Sequence, residues 1–476
     1  MCGALWRLTV PRTPASVRDD RAVVSNHRTP VALPVVVLGL AVAAAFGSGA
    51  FGSTTPAMTT GTFTTRPTDP SLSSPVASSP ETSSGSAGIA AGNGNGTDRA
   101  SAVPATTTPA TDNTTPDDSP VVTALGPGVL EGVDWQVFDD RIAPPLISSG
   151  AIAVSIAVAK DGRLVHEAAY GVADPATGEP VTTASRFRIA SISKVLTSTV
   201  ALQLVDDGLL ALDAPVLAPL AAQFGVPLTD PRMEQVTLRQ LLSHTSGFAD
   251  FSEEFFRGNA VGCEDATIAG FANPLSGSPG QSANYSNMNF CIVGLLIELA
   301  TADSYEAAVY DRLLTPLGIT DMRVTGNNDV RSGEVVHPGD PGRNFMEVLG
   351  GAGSWVATAA DLVAIVDSLD TSRPGWHPIS PALADEMQGR TEAGQRARAF
   401  RFGLGLLLFG DGWGHTGTLQ NAHSMVLHRA DGFTFAIVVS GSAPSESNDL
   451  ARFADRGFEA IGVPLLALVA PTPLAR

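Results

Sequence analysis

Residues 187–197 read Phe-Arg-Ile-Ala-Ser-Ile-Ser-Lys-Val-Leu-Thr, and the rest of the chain takes its meaning from this stretch. A helix beginning at Ser191 sets the serine hydroxyl at the positive end of the helix dipole and brings Lys194, at i+3, onto the same face. Serine is a weak nucleophile until a neighbour accepts its proton, and a desolvated lysine does this where no histidine is placed. The basic residues are nearly all arginine, and the only lysines are Lys160, in a turn-like Ala-Lys-Asp-Gly, and Lys194. Arginine cannot give up its proton, so lysine at 194 suits a group that must.

Two further stretches carry chemistry. Residues 279–287, Pro-Gly-Gln-Ser-Ala-Asn-Tyr-Ser-Asn, form a loop just before a helix expected from Asn289. Such a loop aims the phenol of Tyr285 to relay protons and the amide of Asn287 to hold a substrate carbonyl or the lysine. Residues 414–420, Gly-His-Thr-Gly-Thr-Leu-Gln, sit on an expected strand. Glycine at 417 leaves room for a substrate to lie along the strand edge, which then donates a backbone N–H to a developing oxyanion.

Around these stretches the apolar spacing predicts a helix near 135–147, then strands over 153–159 and 164–170 hinged at Asp161-Gly162. Helical spacing follows at 191–207, 238–243, 289–300, 304–314 and 359–369. Strands return at 402–408, 414–416, 424–428 and 433–439, before a last helix over 448–461. Strands at both ends and helices between them predict an antiparallel sheet closed by the two ends of the chain around a helical insertion.

The remainder is organised differently. Residues 1–28 carry Arg7, Arg12, Arg18, Arg21 and Arg28, and an apolar run from Val31 to Phe46 follows. A positive flank before an apolar run marks entry into a membrane with the N-terminus in the cytoplasm. We therefore expect a cytoplasmic tail over 1–28, a membrane segment or signal peptide over 29–51, a Thr/Ser/Pro/Gly-rich disordered linker over 52–121, the folded domain over 122–465 and a tail over 466–476. The expected location is the cell membrane, single-pass with an extracellular domain, or outside the cell after signal cleavage. The linker has too few large apolar side chains to offset the entropy of ordering it. A formal charge of −18 without a clustered basic face argues against nucleic acid. Of the three cysteines, Cys263 and Cys291 fall in the folded domain and are candidates for a disulfide if it is exported. No G-x-S-x-G elbow occurs.

In their order S-x-x-K, Y-x-N and H-T-G, the three stretches resemble the serine β-lactamase and D-alanyl-D-alanine peptidase family, in particular its class C β-lactamase and DD-carboxypeptidase branch. Leu-Arg-Gln-Leu-Leu-Ser-His-Thr-Ser-Gly at 238–247, Pro-Leu-Gly-Ile-Thr-Asp-Met at 316–322 and Ala-Gly-Ser-Trp at 352–355 also look like stretches of that family. The resemblance implies an α+β fold with an antiparallel β-sheet flanked by helices and a mostly helical lobe. It makes Ser191 the acylated nucleophile, Lys194 its base and Tyr285 a catalytic partner. Asn287, His415, Thr416, Gly417 and Thr418 would meet the substrate, with the N–H groups of Ser191 and Thr418 as oxyanion hole, and His244 would support its loop.

No cofactor and no metal are implied. The substrate would be a small peptide, ester or β-lactam, with cell-wall peptidoglycan among the candidates. Histidine at 415, where class C β-lactamases carry lysine, points to a D-Ala-D-Ala carboxypeptidase-like, penicillin-binding enzyme before an esterase or weak β-lactamase. A non-catalytic sensor of cell-wall peptide or β-lactam is the further alternative. Leu406 to Phe409 would favour an apolar acyl or alcohol group.

Overall fold

Alternation along the first and last strands sets the architecture. In strand β1 (Ala151–Lys160), Ala153, Ala157 and Ala159 face one apolar core, while Val154, Ile156 and Val158 face another. β1 pairs antiparallel with β10 (Phe433–Gly441), whose Ala436 and Val438 join the first core and whose Phe435, Ile437 and Val439 join the second. A sheet covered on both faces must be apolar on both. In β1 these alanines point toward one side and the larger branched residues toward the other.

This is a computed structural model, and it describes residues 125, 127–250, 252–256, 258–338, 345–391, 401–410 and 412–464. The segments expected at 1–28, 29–51, 52–121 and 466–476 lie outside the described residues. Among the described residues no helix is long and apolar enough to cross a membrane.

The strands are β1, β2 (Arg163–Asp174), β3 (Glu179–Pro180), β4 (Phe187–Arg188), β5 (Arg323–Val324), β6 (Trp355–Ala357), β7 (Leu407–Phe409), β8 (Gly412–Leu419), β9 (Ala422–His428) and β10. Seven of them form one antiparallel sheet in the order β3-β2-β1-β10-β9-β8-β7. The β1–β2 hairpin turns at Asp161 (φ 50°) and Gly162 (φ 80°), the doubly left-handed pair that matches strand twist. Helices α1 (Trp135–Asp139) and α2 (Ala143–Ser148) from one end of the chain, with α3 (Leu450–Ala460) from the other, cover the large-residue face through Phe138, Ile142, Leu146, Leu450 and Phe458. The opposite face meets the helical insertion and a small sheet ordered β4-β6-β5. The expected α+β arrangement is what the structure has.

Three elements differ from the sequence reading. The helix expected over 135–147 is two helices, because Pro144 and Pro145 supply no N–H to continue the first and are accommodated only in the opening turn of the second. The strand expected over 402–408 shrinks to Leu407–Phe409. Gly405 takes φ 78° and doubles the chain back, so that Phe402 bridges Leu407. Leu406 and Leu408, expected to border the substrate, are buried in the main core.

Candidate active site

Strand β4 pairs with β6 and delivers the chain into a single 3-10 turn, Ala190–Ile192, from which the helix Ser193–Asp206 continues. Ser191 thus stands in the turn, not in the first turn of the α-helix as expected. Ala190 holds φ 49°, a left-handed conformation that a non-glycine residue keeps only when its surroundings force it. Those surroundings are the sheet: Ser424 on β9 donates from Oγ to the Ile189 carbonyl at 2.9 Å. A Cβ on Gly417 of β8 would lie 2.1 Å from the same oxygen and 3.0 Å from the Cβ of Ala190.

Gly417 therefore corrects its sequence reading. Its missing side chain makes room for the turn that carries Ser191, not for a substrate. Gly417→Ala is expected to slow acylation of Ser191 about 100-fold, because the turn must move to admit the methyl group. Time-resolved labelling with a fluorescent penicillin, beside a thermal melt, measures this.

Lys194 is fully buried one turn beyond Ser191. Its Nζ lies 3.1 Å from Ser191 Oγ, 2.9 Å from Asn287 Oδ1 and 2.7 Å from the Ala352 carbonyl oxygen. The last two only accept hydrogen bonds, whereas the hydroxyl can either accept or donate. An amine that has lost one proton satisfies this set: two N–H bonds go to Asn287 and Ala352, and the lone pair faces the serine O–H. Protonated, the same nitrogen donates to all three. The cradle accommodates Lys194 on both sides of a proton transfer without rearrangement.

The helix Asn287–Thr301 begins two residues earlier than expected, so Asn287 stands at its opening with its amide on Lys194. The Tyr285 ring lies 4.9 Å from Lys194 Nζ, 4.4 Å from the His244 ring and 6.4 Å from that of His415. His415 is buried, and its Nδ1 lies 2.6 Å from the Thr416 carbonyl, which only accepts, so Nδ1 carries the proton. Burial first, and then the charge of Lys194, lower its pKa to about 3, so the imidazole is neutral.

Thr416 and Thr418 alternate to the other face of β8, where their hydroxyls lie 3.5 Å from Asn448 Oδ1 and 2.6 Å from Ser447 Oγ. Backbone is what they present to the Ser191 side. β7 pairs with β8 along Gly412–Gly414. Ser191 and Thr418 each lie one residue from the contact between Gly417 and the Ile189–Ala190 backbone.

Sequence reasoning missed how the Ala352 turn is held. Thr197 Oγ1 donates to the Gly351 carbonyl at 2.6 Å, the Tyr305 hydroxyl lies 2.7 Å from Thr197 Oγ1, and Trp355 Nε1 donates to that hydroxyl at 2.9 Å. A backbone carbonyl leaves no side-chain signature, although Trp355 itself falls in a stretch already singled out. Behind this turn Cys263 and Cys291 are joined in a disulfide, and a Cβ on Gly350 would lie 2.6 Å from Cys263 Sγ. Among the described residues no cluster of metal-ligating side chains occurs.

A family model described as Beta-lactamase matches residues 138–458. The chain is 31% identical to Penicillin-binding protein 4 of Amycolatopsis lactamdurans over 333 residues, covering 65% of this chain and 82% of that protein. It is 28% identical to Esterase EstB of Burkholderia gladioli over 364 residues, covering 63% of this chain and 88% of the esterase. Among solved structures, that of SurE with D-Leu is similar at a TM-score of 0.56 and 27% identity, covering 71% of this chain and 77% of the other.

Proposed function

This chain belongs to the beta-lactamase family of serine hydrolases, and from that premise we propose that it forms an acyl-enzyme on Ser191, with peptides ending in D-alanyl-D-alanine as its first substrates. The cradle around Lys194 Nζ carries the reading. Ser191 Oγ bonds to the substrate carbonyl carbon while its proton passes to Lys194 Nζ, and the oxyanion takes the backbone N–H groups of Ser191 and Thr418. The carbonyl re-forms, the bond to the leaving amine breaks, and that amine receives the proton through Lys194 and Tyr285. Water then attacks the ester, gives up a proton to the same groups and frees Ser191.

The D-peptide assignment draws on the relatives: a penicillin-binding protein matched over most of its length, and a structure with bound D-Leu. A second reading, ester hydrolysis, is favoured by the neutral His415 and by the match to an esterase over 88% of its length. Incubating the full chain with an N-acylated D-alanyl-D-alanine peptide and, separately, with a chromogenic butyrate ester decides between them. Release of free D-alanine on each turnover is the expected result; ester cleavage without any D-alanine release would transfer the assignment to the esterase.

We also place the domain outside the cytoplasm, tethered or secreted. The disulfide and the arginine-flanked apolar run support this.

A further inference from the structure

His244 belongs to none of the three motifs, yet it sits at φ 58° and is buried against the second of them. Its hydrogen bonds fix which ring nitrogen carries the proton. Ser246 Oγ donates to Asn289 Oδ1 at 2.6 Å, which turns the other end of that amide, Nδ2, toward His244 Nδ1 at 3.1 Å. An amide nitrogen only donates, so Nδ1 must accept. The backbone N–H of Ser286 donates to the same Nδ1 at 3.2 Å. Nδ1 is thus unprotonated and the ring proton is on Nε2.

The face of the same ring packs on Tyr285 at 4.4 Å, tilted by 30°. Its backbone carbonyl accepts from the N–H of Asn284 at 2.8 Å. One residue therefore grips Asn284 by its carbonyl, Tyr285 by its ring and Ser286 by its nitrogen. The next residue, Asn287, touches Lys194. Burial, followed by the nearby Lys194 and His415, holds the imidazole well below its ordinary pKa and keeps it in this accepting form.

Resting on the acyl-enzyme reading above, we propose that His244 is a positioning residue for acylation: through Nδ1 and its ring face it locks the Tyr285-Ser286-Asn287 turn in register with Lys194. It transfers no proton itself. The left-handed backbone is part of the device, because it lets the carbonyl and the ring of one residue face the same loop.

The test uses the full chain and a fluorescent penicillin, recording both the acylation rate constant and the fraction labelled at completion. His244→Phe keeps a ring but removes the acceptor, and is expected to acylate about 100-fold more slowly with the final labelled fraction unchanged. His244→Asn restores an acceptor and tolerates the left-handed backbone, so it should recover to within about tenfold of wild type. Should the phenylalanine variant not fold, Asn289→Asp decides. It keeps the shape and presents Nδ1 with an acceptor where it had a donor, for an expected tenfold or so slowing.

A phenylalanine variant that labels at the wild-type rate would overturn the proposal. So would one that loses labelled fraction at an unchanged rate, which marks a purely structural role, or an asparagine variant no faster than phenylalanine. Asn289→Asp at the wild-type rate would do the same. If wild type itself takes no label, the acyl-enzyme reading falls first, and this proposal with it.

Discussion

Ser191→Ala is expected to lower hydrolysis of every acyl substrate by on the order of 10⁴-fold or more while leaving the thermal melt within a few degrees of wild type. Ser191 is half-buried, and its hydroxyl, unlike Asn287 Oδ1 and the Ala352 carbonyl, can donate to Lys194 Nζ as well as accept from it. Removing it takes one of the partners of Nζ but leaves Asn287 Oδ1 and the Ala352 carbonyl bonded to it, so neither buried acceptor is stranded. Steady-state turnover beside a melt checks both halves of the expectation. A variant with more than about a tenth of wild-type turnover would contradict it.

Lys194→Met should lower turnover about 10³-fold, and here stability should fall as well. Methionine fills much of the buried volume but offers no N–H, so Asn287 Oδ1 and the Ala352 carbonyl are stranded. Each buried acceptor without a donor costs about 1–3 kcal/mol. Lys194→Arg should not rescue turnover: guanidinium can donate to both acceptors but cannot take up the serine proton. Recovery of stability without recovery of turnover in the arginine variant would separate the base from the brace, whereas near-wild-type turnover by arginine would show that the group need not accept a proton.

The proximity of Ser191 and Lys194 was legible because i+3 spacing on a helix brings two side chains together whatever the rest of the fold does. The sheet was legible for a similar local reason: two-residue alternation and Asp-Gly turns mark the hairpins. Asn287 was reached from its loop with the substrate carbonyl and the lysine both open as partners, since nothing local in Tyr-Ser-Asn says that its amide meets a lysine 93 residues earlier. Ala352 falls in a stretch that was singled out, but the role of its carbonyl left no trace, because a carbonyl is the same on every residue.

Gly417 and Leu406 show a different failure. Gly417 was assigned to the substrate for the room a missing side chain leaves and Leu406 for its place near the third motif, but strand alternation and chain reversal at Gly405 turn them toward Ile189 and the core. Pro144 and Pro145 were readable signals that a 13-residue apolar spacing outweighed until the structure split the helix.

The central claim, a covalent acyl-enzyme on Ser191, is tested most directly by incubating the full chain with a penicillin, measuring its intact mass and mapping the adduct by proteolysis. A mass increase equal to the whole penicillin, confined to the peptide that contains Ser191 and absent from Ser191→Ala, is the predicted result. An adduct on another residue, or one of equal size in the alanine variant, would contradict it.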